Sequence, residues 1–136
     1  MTSLWQRLEV EDKVREVLRE GAAASRHVHH LGRPYVTVYQ LAIRLHSKYP
    51  DVATELGFEV GGVGIGRHNS LAQYLARELS VRIREGGDDF PVEGAFLSND
   101  RIAALTFVGT DGGHITSSLT DSGDPLSLFR LSATQP

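Results

Sequence analysis

A row of polar side chains at helical spacing is the feature of this sequence best suited to chemistry. Its five members follow one another at intervals of three, four, three and four residues: Ser70, Gln73, Arg77, Ser80 and Arg84. In an α-helix this spacing brings the side chains to one face. Hydroxyl, carboxamide and guanidinium groups on such a face are suited to hydrogen bonds with phosphates and with base edges in the major groove. An ordinary solvated helix face is the alternative that the spacing leaves open.

A glycine-rich segment precedes this row. Gly62, Gly64 and Gly66 are followed directly by Arg67 and His68. Glycine permits positive φ angles, and the free N–H groups at the start of a following helix attract anions. The segment therefore predicts an anion-binding loop, with a turning loop that holds no ligand as the alternative. The chain has neither the P-loop motif nor the glycine fingerprint of a dinucleotide-binding unit, and we expect no cofactor.

The positions of the histidines and the lack of cysteine limit which metal sites and which covalent chemistry the chain can support. His27, His29 and His30 lie close together, but no cysteine or neighbouring carboxylate completes a ligand set, so we expect no metal site. The chain has no cysteine at all, which excludes disulfides and cysteine nucleophiles. Asp111 and His114 are close in a polar segment without the spacing of a nucleophile motif. We expect no catalytic residues and favour a non-enzymatic role.

The first predicted element is an amphipathic helix from about Leu4 to Glu20, ended by Gly21. Acidic and basic side chains occupy most of the other positions, as on a helix with one face in the core. The apolar stripe that defines the helix consists of Leu4, Leu8, Val14, Val17 and Leu18.

A second helix and a helical turn follow a short extended segment. The segment covers Arg33–Val36, because its proline disfavours helix at the preceding residue. Thr37 and Gln40 have the spacing of a capping box, which marks the start of the second helix. A short helix is predicted over 50–56, with a proline at its start and Gly57 at its end.

The third long helix and a β-hairpin complete the predicted core. The helix begins at Asn69 or Ser70, runs to about Glu85, and carries a leucine stripe opposite the polar row. Val92–Leu97 and Arg101–Val108 have the composition of strands and are separated by three turn-forming residues. This pattern predicts that the two strands pair as a hairpin.

Length and composition indicate a single domain spanning residues 1–136. Hydrophobic residues make up 40% of the chain and charged residues 23%, which is typical of a globular protein. No apolar run is long enough to span a bilayer, and no secretory signal is evident, so we expect a cytoplasmic protein without membrane contact. Residues 1–50 carry eight Lys or Arg and five Asp or Glu, whereas residues 51–136 carry six and twelve.

The order helix, short strand, helix, turn, helix, hairpin resembles the winged-helix superfamily. The resemblance covers about residues 8–108, leaves 109–136 as a C-terminal extension, and implies a helix-rich α+β fold. It departs from the family pattern between the second and third long helices, where residues 50–68 are inserted. Winged-helix proteins place the third helix in the major groove with the hairpin beside it. The resemblance therefore implies a duplex-DNA-binding module of the kind that serves as a transcriptional regulator.

The resemblance also implies which side chains would contact DNA. The third helix would direct Asn69, Gln73 and Arg77 towards bases, and the hairpin tip would bring Asn99 and Arg101 to the backbone or an adjacent groove. Phosphate contacts would come from the entrance of the third helix and from residues around the second helix: Arg67, Ser70, Arg33, Thr37, Arg44 and Lys48.

A homodimer is expected, because two half-sites bind DNA more tightly than one. Its interface would be formed by the first helix, around Leu4, Trp5 and Leu8, or by the apolar C-terminal segment. A non-enzymatic protein–protein interaction module or accessory subunit on the same fold is the main alternative function, which the net charge of −3 favours. A small-molecule or anion-binding protein that uses the glycine-rich loop is a further alternative.

Overall fold

The computed structural model describes residues 3–23, 32–61, 70–117 and 126–132. The five α-helices precede four of the five strands of the described residues, and the strands form small antiparallel sheets, which makes the fold α+β. In chain order the elements are α1 (Leu4–Arg7), α2 (Val10–Ala23), β1 (Val36–Thr37), α3 (Val38–Lys48), α4 (Pro50–Leu56), α5 (Leu71–Gly86), a 3-10 turn (Gly87–Asp89), β2 (Val92–Leu97), β3 (Thr106–Val108), β4 (His114–Thr116) and β5 (Leu126–Leu131).

The N-terminal helix is broken into α1 and α2, which corrects the prediction of one continuous helix. Glu9 has a φ of 53°, a left-handed conformation that interrupts the helical hydrogen bonds. The break rotates α1 relative to α2, so that Trp5 is buried while Leu4 remains 39% exposed. The helix also continues through Gly21 to Ala23 rather than ending at the glycine.

The predicted start of α3 and the bounds of α4 are confirmed. The Thr37 hydroxyl accepts the Gln40 backbone N–H at 3.1 Å, and the Gln40 side chain accepts the Thr37 N–H at 2.7 Å. Each bond satisfies a backbone donor, so both residues fix the helix start. Pro50 opens α4, and Gly57 ends it in the left-handed region with a φ of 75°.

The start of α5 is fixed by its cap and by a neighbouring loop. The Ser70 hydroxyl accepts the Gln73 N–H at 3.1 Å. The carbonyls of Glu59 and Val60 accept the N–H groups of Leu71 and Ala72, so they satisfy further donors at the helix start. Helices α2, α3 and α5 pack around a common core that includes Val14, Leu41, Leu45, Leu71, Leu75 and Leu79, all with no exposed surface.

The main sheet has the order β1-β5-β2, which corrects the predicted hairpin. All six residues of β2 pair antiparallel with β5, from Val92 opposite Leu131 to Leu97 opposite Leu126. Within the stretch 101–108 only β3 is a strand, and it pairs with β4 in a separate two-stranded sheet. Burial explains the difference, because β5 contributes buried side chains to the core whereas residues 101–105 are mostly exposed. The central strand thus comes from beyond residue 108, in the stretch that the sequence pattern leaves as an extension.

Candidate nucleic-acid interface

The polar row of α5 is displayed on the side of the helix opposite the core. Leu75 has no exposed surface, whereas Arg77, Ser80 and Arg84 are exposed and Gln73 is half-buried. Two positions along a helix differ by roughly 200°, which accounts for the contrast between Leu75 and Arg77. We call Gln73, Arg77, Ser80 and Arg84 the outward row. Its members present a carboxamide, a hydroxyl and two guanidinium groups along one surface.

Ser70 belongs to the sequence pattern but not to the exposed surface. Its residue is 4% exposed, and its hydroxyl accepts the Gln73 N–H as the helix cap. The structure therefore gives Ser70 a structural role at the start of α5, where the sequence predicts a phosphate contact.

One flank of α5 is covered by the N-terminal helix. Arg82 lies over the Trp5 ring at 4.2 Å from its centroid and forms a salt bridge with Glu78, one turn earlier. Tyr74 packs against the rings of Trp5 and Phe58 at 6.2 and 5.6 Å, and burial raises the pKa of its phenol. Glu78, which follows Arg77 in the sequence, is thus paired with Arg82.

The other flank of α5 faces the two long strands, which we call the β2–β5 ribbon. A cleft of about 310 Å³ lies between them. Its helix side includes Ser80, Ile83 and Arg84, and its ribbon side includes Gly94 and Phe96. Phe96 is 72% exposed, the largest exposure of any large hydrophobic side chain among the described residues. The cleft therefore joins two members of the outward row to an exposed aromatic ring.

The predicted phosphate contacts around α3 fall into different environments. Arg44 is exposed and lines a cleft beside β3 with Val108. Lys48 forms salt bridges with Glu16, at 3.0 Å, and with Glu20, which raise the pKa of its ammonium group. Its charge is therefore largely compensated within the protein.

Two further predicted phosphate contacts are tied to the fold. The Thr37 hydroxyl is occupied in the capping box of α3. The Arg33 carbonyl accepts a hydrogen bond from the Arg130 guanidinium at 3.0 Å, while the Arg33 residue itself is half-buried. Neither residue lies on α5, so the structure does not bring them into the outward row.

Asn99 and Arg101 lie in a turn that leaves the end of β2. The Ser98 hydroxyl accepts the Asp100 N–H at 3.1 Å, and the Asn99 carbonyl accepts the Ile102 N–H at 3.2 Å. Arg101 is exposed and has a φ of 66°. These residues therefore do form a turn at the tip of a strand, although that turn does not connect a β2–β3 hairpin.

A second group of polar residues lies between α3 and the β3–β4 sheet. His46, Asp111 and His114 line a cleft of about 450 Å³. The Asp111 carboxylate accepts the Gly113 N–H at 2.9 Å and so shapes the turn of the small sheet. Within the described ranges, no three His, Asp or Glu side chains are grouped as a metal site would require.

Several predicted site residues lie outside the described residues. These comprise the anion-binding loop, the entrance of the third helix and the histidine cluster: Gly62, Gly64, Gly66, Arg67, His68, Asn69, His27, His29 and His30.

Sequence reasoning missed two aromatic residues that shape this region. Tyr39 is buried and stacks on Phe107 at 5.3 Å between ring centroids, which seats the β3–β4 sheet on α3. One side of β2 carries Val92, Gly94 and Phe96 at every second position. This period-two pattern is the signal by which Phe96 could have been found. The exposure of Phe96 reflects the cleft that separates β2 from Ser80 and Arg84 of α5, which the pattern does not contain.

Comparisons with known proteins found no relative of this chain. The chain matches no protein-family model, no curated protein sequence and no solved structure. Among the helices that the structure describes, none has the length and apolar character needed to traverse a bilayer.

Proposed function

We propose that this chain is a winged-helix DNA-binding module that reads duplex DNA with α5. The observation that carries the proposal is the outward row, which sets Gln73, Arg77 and Arg84 on one solvent-facing surface opposite a fully buried leucine stripe. Arginine and glutamine are the side chains best suited to bidentate contacts with guanine and adenine in the major groove. Arginine also neutralises phosphates, which supplies affinity for any sequence.

The topology supports the same proposal. Helices α2, α3 and α5 pack together, and β1, β5 and β2 form an antiparallel sheet beside them. In a winged-helix arrangement α5 is the recognition helix and the β2–β5 ribbon is the wing, with the β3–β4 sheet inserted at its tip. Helix α4 and the segment that follows it are additions to that arrangement.

The proposed contacts divide by position along α5. Gln73 and Arg77, in the first half, are directed to base edges, together with Asn69. Ser80 and Arg84, nearer the ribbon, hold the sugar–phosphate backbone. Arg67, which precedes α5 in the sequence, and Arg101 at the ribbon tip add phosphate contacts. Arg44 contributes from α3, whereas the compensated charge of Lys48 makes its contribution small.

The test is the salt dependence of duplex binding. We expect a random-sequence duplex to bind at low salt, with an affinity that falls linearly on a log–log plot against salt concentration. Arg77→Ala should lower the slope by roughly one unit. Arg7→Ala is the matched control, because Arg7 is exposed on α1 rather than on α5 and should leave the slope unchanged. A wild-type dissociation constant weaker than about 10⁻⁴ M at low salt would contradict the proposal.

A protein–protein interaction module on the same frame is the second candidate. The observation that favours it is the exposure of two large apolar side chains, Phe96 at 72% and Val108 at 66%. Isolated exposed apolar residues are common, but Phe96 borders a cleft and a strand edge. We would favour DNA over a protein partner for the outward row if Arg77→Ala loses affinity for duplex DNA. Phe96→Ala and Val108→Ala should then retain that affinity.

A further inference from the structure

The two surfaces that the sequence offers for a dimer are used in large part within the protomer. Trp5 is 4% exposed, packs on Tyr74 and lies beneath the Arg82 guanidinium. The apolar C-terminal segment is β5, the central strand of the main sheet, with β1 on one side and β2 on the other. A dimer that recruits Trp5 or the buried side chains of β5 would have to disrupt the protomer's own core, whereas Leu4 remains 39% exposed.

The outer edge of β2 has the properties of a strand that can accept a partner. Among the described residues β2 pairs only with β5, so its other edge carries backbone groups that no described strand covers. Natural edge strands are commonly protected by lysine, internal proline or a bulge. The six residues Val92–Leu97 include neither lysine nor proline, and their continuous pairing with β5 leaves no bulge. The single charged residue, Glu93, forms a salt bridge with Arg130 of β5.

The side chains of β2 are complementary to themselves under a two-fold rotation. Phe96 projects from the face that also carries Val92 and Gly94, and it is 72% exposed. Gly94 has no side chain and borders the cleft between α5 and the ribbon. Ile83 and Phe129, which also line this cleft, lie 3.2 and 3.5 Å from the position that a Cβ of residue 94 would take. The protruding ring and this glycine are two residues apart on one strand. An antiparallel copy centred on Ala95 therefore places each ring against the other chain's glycine.

We infer that β2 forms an isologous homodimer by antiparallel pairing with β2 of a second copy about a two-fold axis at Ala95. In this register Phe96 lies opposite the partner's Gly94, and Leu97 lies opposite the partner's Glu93. Aromatic side chains placed across edge glycines stabilise sheets. The two three-stranded sheets become one continuous sheet, and both copies of α5 lie on the same side of it. The inference stands independently of DNA binding, but it would supply the two half-sites that such binding exploits.

The first test compares two exposed apolar residues. Analytical ultracentrifugation should show that the mass of the wild-type protein rises with concentration to twice 14.9 kDa. Phe96→Lys should raise the dimer dissociation constant by at least about 30-fold, the effect of losing a hot-spot residue. Val108→Lys is the matched control, because Val108 is 66% exposed on β3 of the other sheet and should leave dimerisation unchanged. Circular dichroism of Phe96→Lys should match wild type, since the ring contributes little to the protomer core.

The second test locates the axis. The chain has no cysteine, so Ala95→Cys introduces one thiol per protomer. Directly opposed residues of antiparallel strands have Cα atoms roughly 4.5–5.5 Å apart, within the range that a disulfide bridges. Mild oxidation should therefore yield a covalent dimer of Ala95→Cys, whereas Leu97→Cys, displaced along the strand from its own copy, should cross-link poorly.

Three outcomes would overturn the inference: a wild-type monomer at every concentration, a dimer that Phe96→Lys leaves intact, or a dimer that Ala95→Cys fails to capture. A monomer whose duplex affinity falls in Phe96→Lys would assign the ring to nucleic acid instead. Because these readouts require no DNA, they separate the dimer from the proposed function. If the protein dimerises as described but does not bind duplex DNA, the β2 interface is supported and only the proposed DNA binding is refuted.

Discussion

The phenolic hydroxyl of Tyr49, at the end of α3, donates a hydrogen bond to the Glu16 carboxylate on α2. Lys48 reinforces the connection by bridging Glu16 and Glu20. The ammonium groups of Lys13 and Lys48 also lie 5.3 and 5.9 Å from the centre of the Tyr49 ring. This cluster therefore ties together two of the helices that support α5, and its ionisation should affect the stability of the fold.

Tyr49→Phe should destabilise the protein at neutral pH but not in acid. The Tyr49 hydrogen bond, followed by Lys48, holds the pKa of Glu16 below its ordinary value of 4.5. A carboxyl whose pKa is lower in the folded state stabilises folding above its unfolded pKa, and that contribution disappears as the pH falls through the folded value. Denaturant unfolding of both proteins at about pH 7 and about pH 2 would measure this. An equal difference at both pH values would contradict the proposed role of ionised Glu16.

Glu16→Gln should lower the pKa of Tyr49. The hydrogen bond to Glu16 raises that pKa above its ordinary value of 10.0. Since the neutral phenol is the favoured form in the folded state, its stabilising contribution is complete below pH 10 and is lost as the pH rises through the folded pKa. Phenolate absorbance during an alkaline titration, with Tyr49→Phe subtracted to remove the other tyrosines, gives the pKa directly. No shift in Glu16→Gln would show that the carboxylate does not control the phenol.

Leu75→Ala should cost far more stability than Arg77→Ala. Leu75 has no exposed surface, so its truncation leaves a cavity and should cost about 2–5 kcal/mol. Arg77 is exposed on the far side of the helix, and its truncation should cost less than about 0.5 kcal/mol. The difference in the free energy of unfolding, measured in denaturant, tests which face of α5 belongs to the core. The reverse ranking would also remove the basis for the outward row.

Thr37→Ala should destabilise α3 through the loss of its cap. The substitution removes the acceptor for the Gln40 N–H and should cost about 1 kcal/mol, within a range of roughly 0.5–2 kcal/mol. Thr37→Asn is the matched control, because asparagine also caps helices and should retain most of the stability. Equal losses in the two variants would show that the Thr37 side chain stabilises the protein by contacts other than the cap.

Local signals predicted the helices around the site well. The capping box at Thr37 and Gln40, the glycine after α4 and the serine before α5 each act within a few residues, so their effects are visible in the sequence. The orientation of Leu75 and Arg77 likewise follows from the helical repeat alone. The break at Glu9 was not predictable in this way, because the apolar spacing across it remains nearly helical.

Strand pairing depends on distant residues and was predicted wrongly. Val92 pairs with Leu131, thirty-nine positions along the chain, rather than with the nearby stretch 101–108. A hairpin pattern compares only neighbouring segments, whereas the observed pairing is decided by which strand buries more apolar surface against the helices. The exposure of Phe96 follows from that pairing and from the cleft between α5 and the ribbon. The cleft beside α5 was therefore absent from the sequence-based prediction.

The sharpest test of the proposed function is the effect of Gln73→Ala on sequence preference. Gln73 offers both a donor and an acceptor, which suits bidentate contact with adenine. The hydrogen bond that caps α5 uses the Gln73 backbone N–H, so alanine removes the carboxamide without removing the cap. The helix should therefore remain intact while base recognition changes.

After selection of a preferred duplex from a random pool, Gln73→Ala should weaken binding to that duplex by about 1–3 kcal/mol and leave affinity for random DNA nearly unchanged. Arg84→Ala is the matched comparison on the same helix face. As a proposed backbone contact, its loss should weaken both duplexes about equally and reduce the salt slope by roughly one unit. Fluorescence anisotropy at several salt concentrations measures the affinity of each variant for each of the two duplexes, and its salt slope. A uniform loss in Gln73→Ala would place that side chain at the phosphates, and no loss in either variant would remove α5 from the interface.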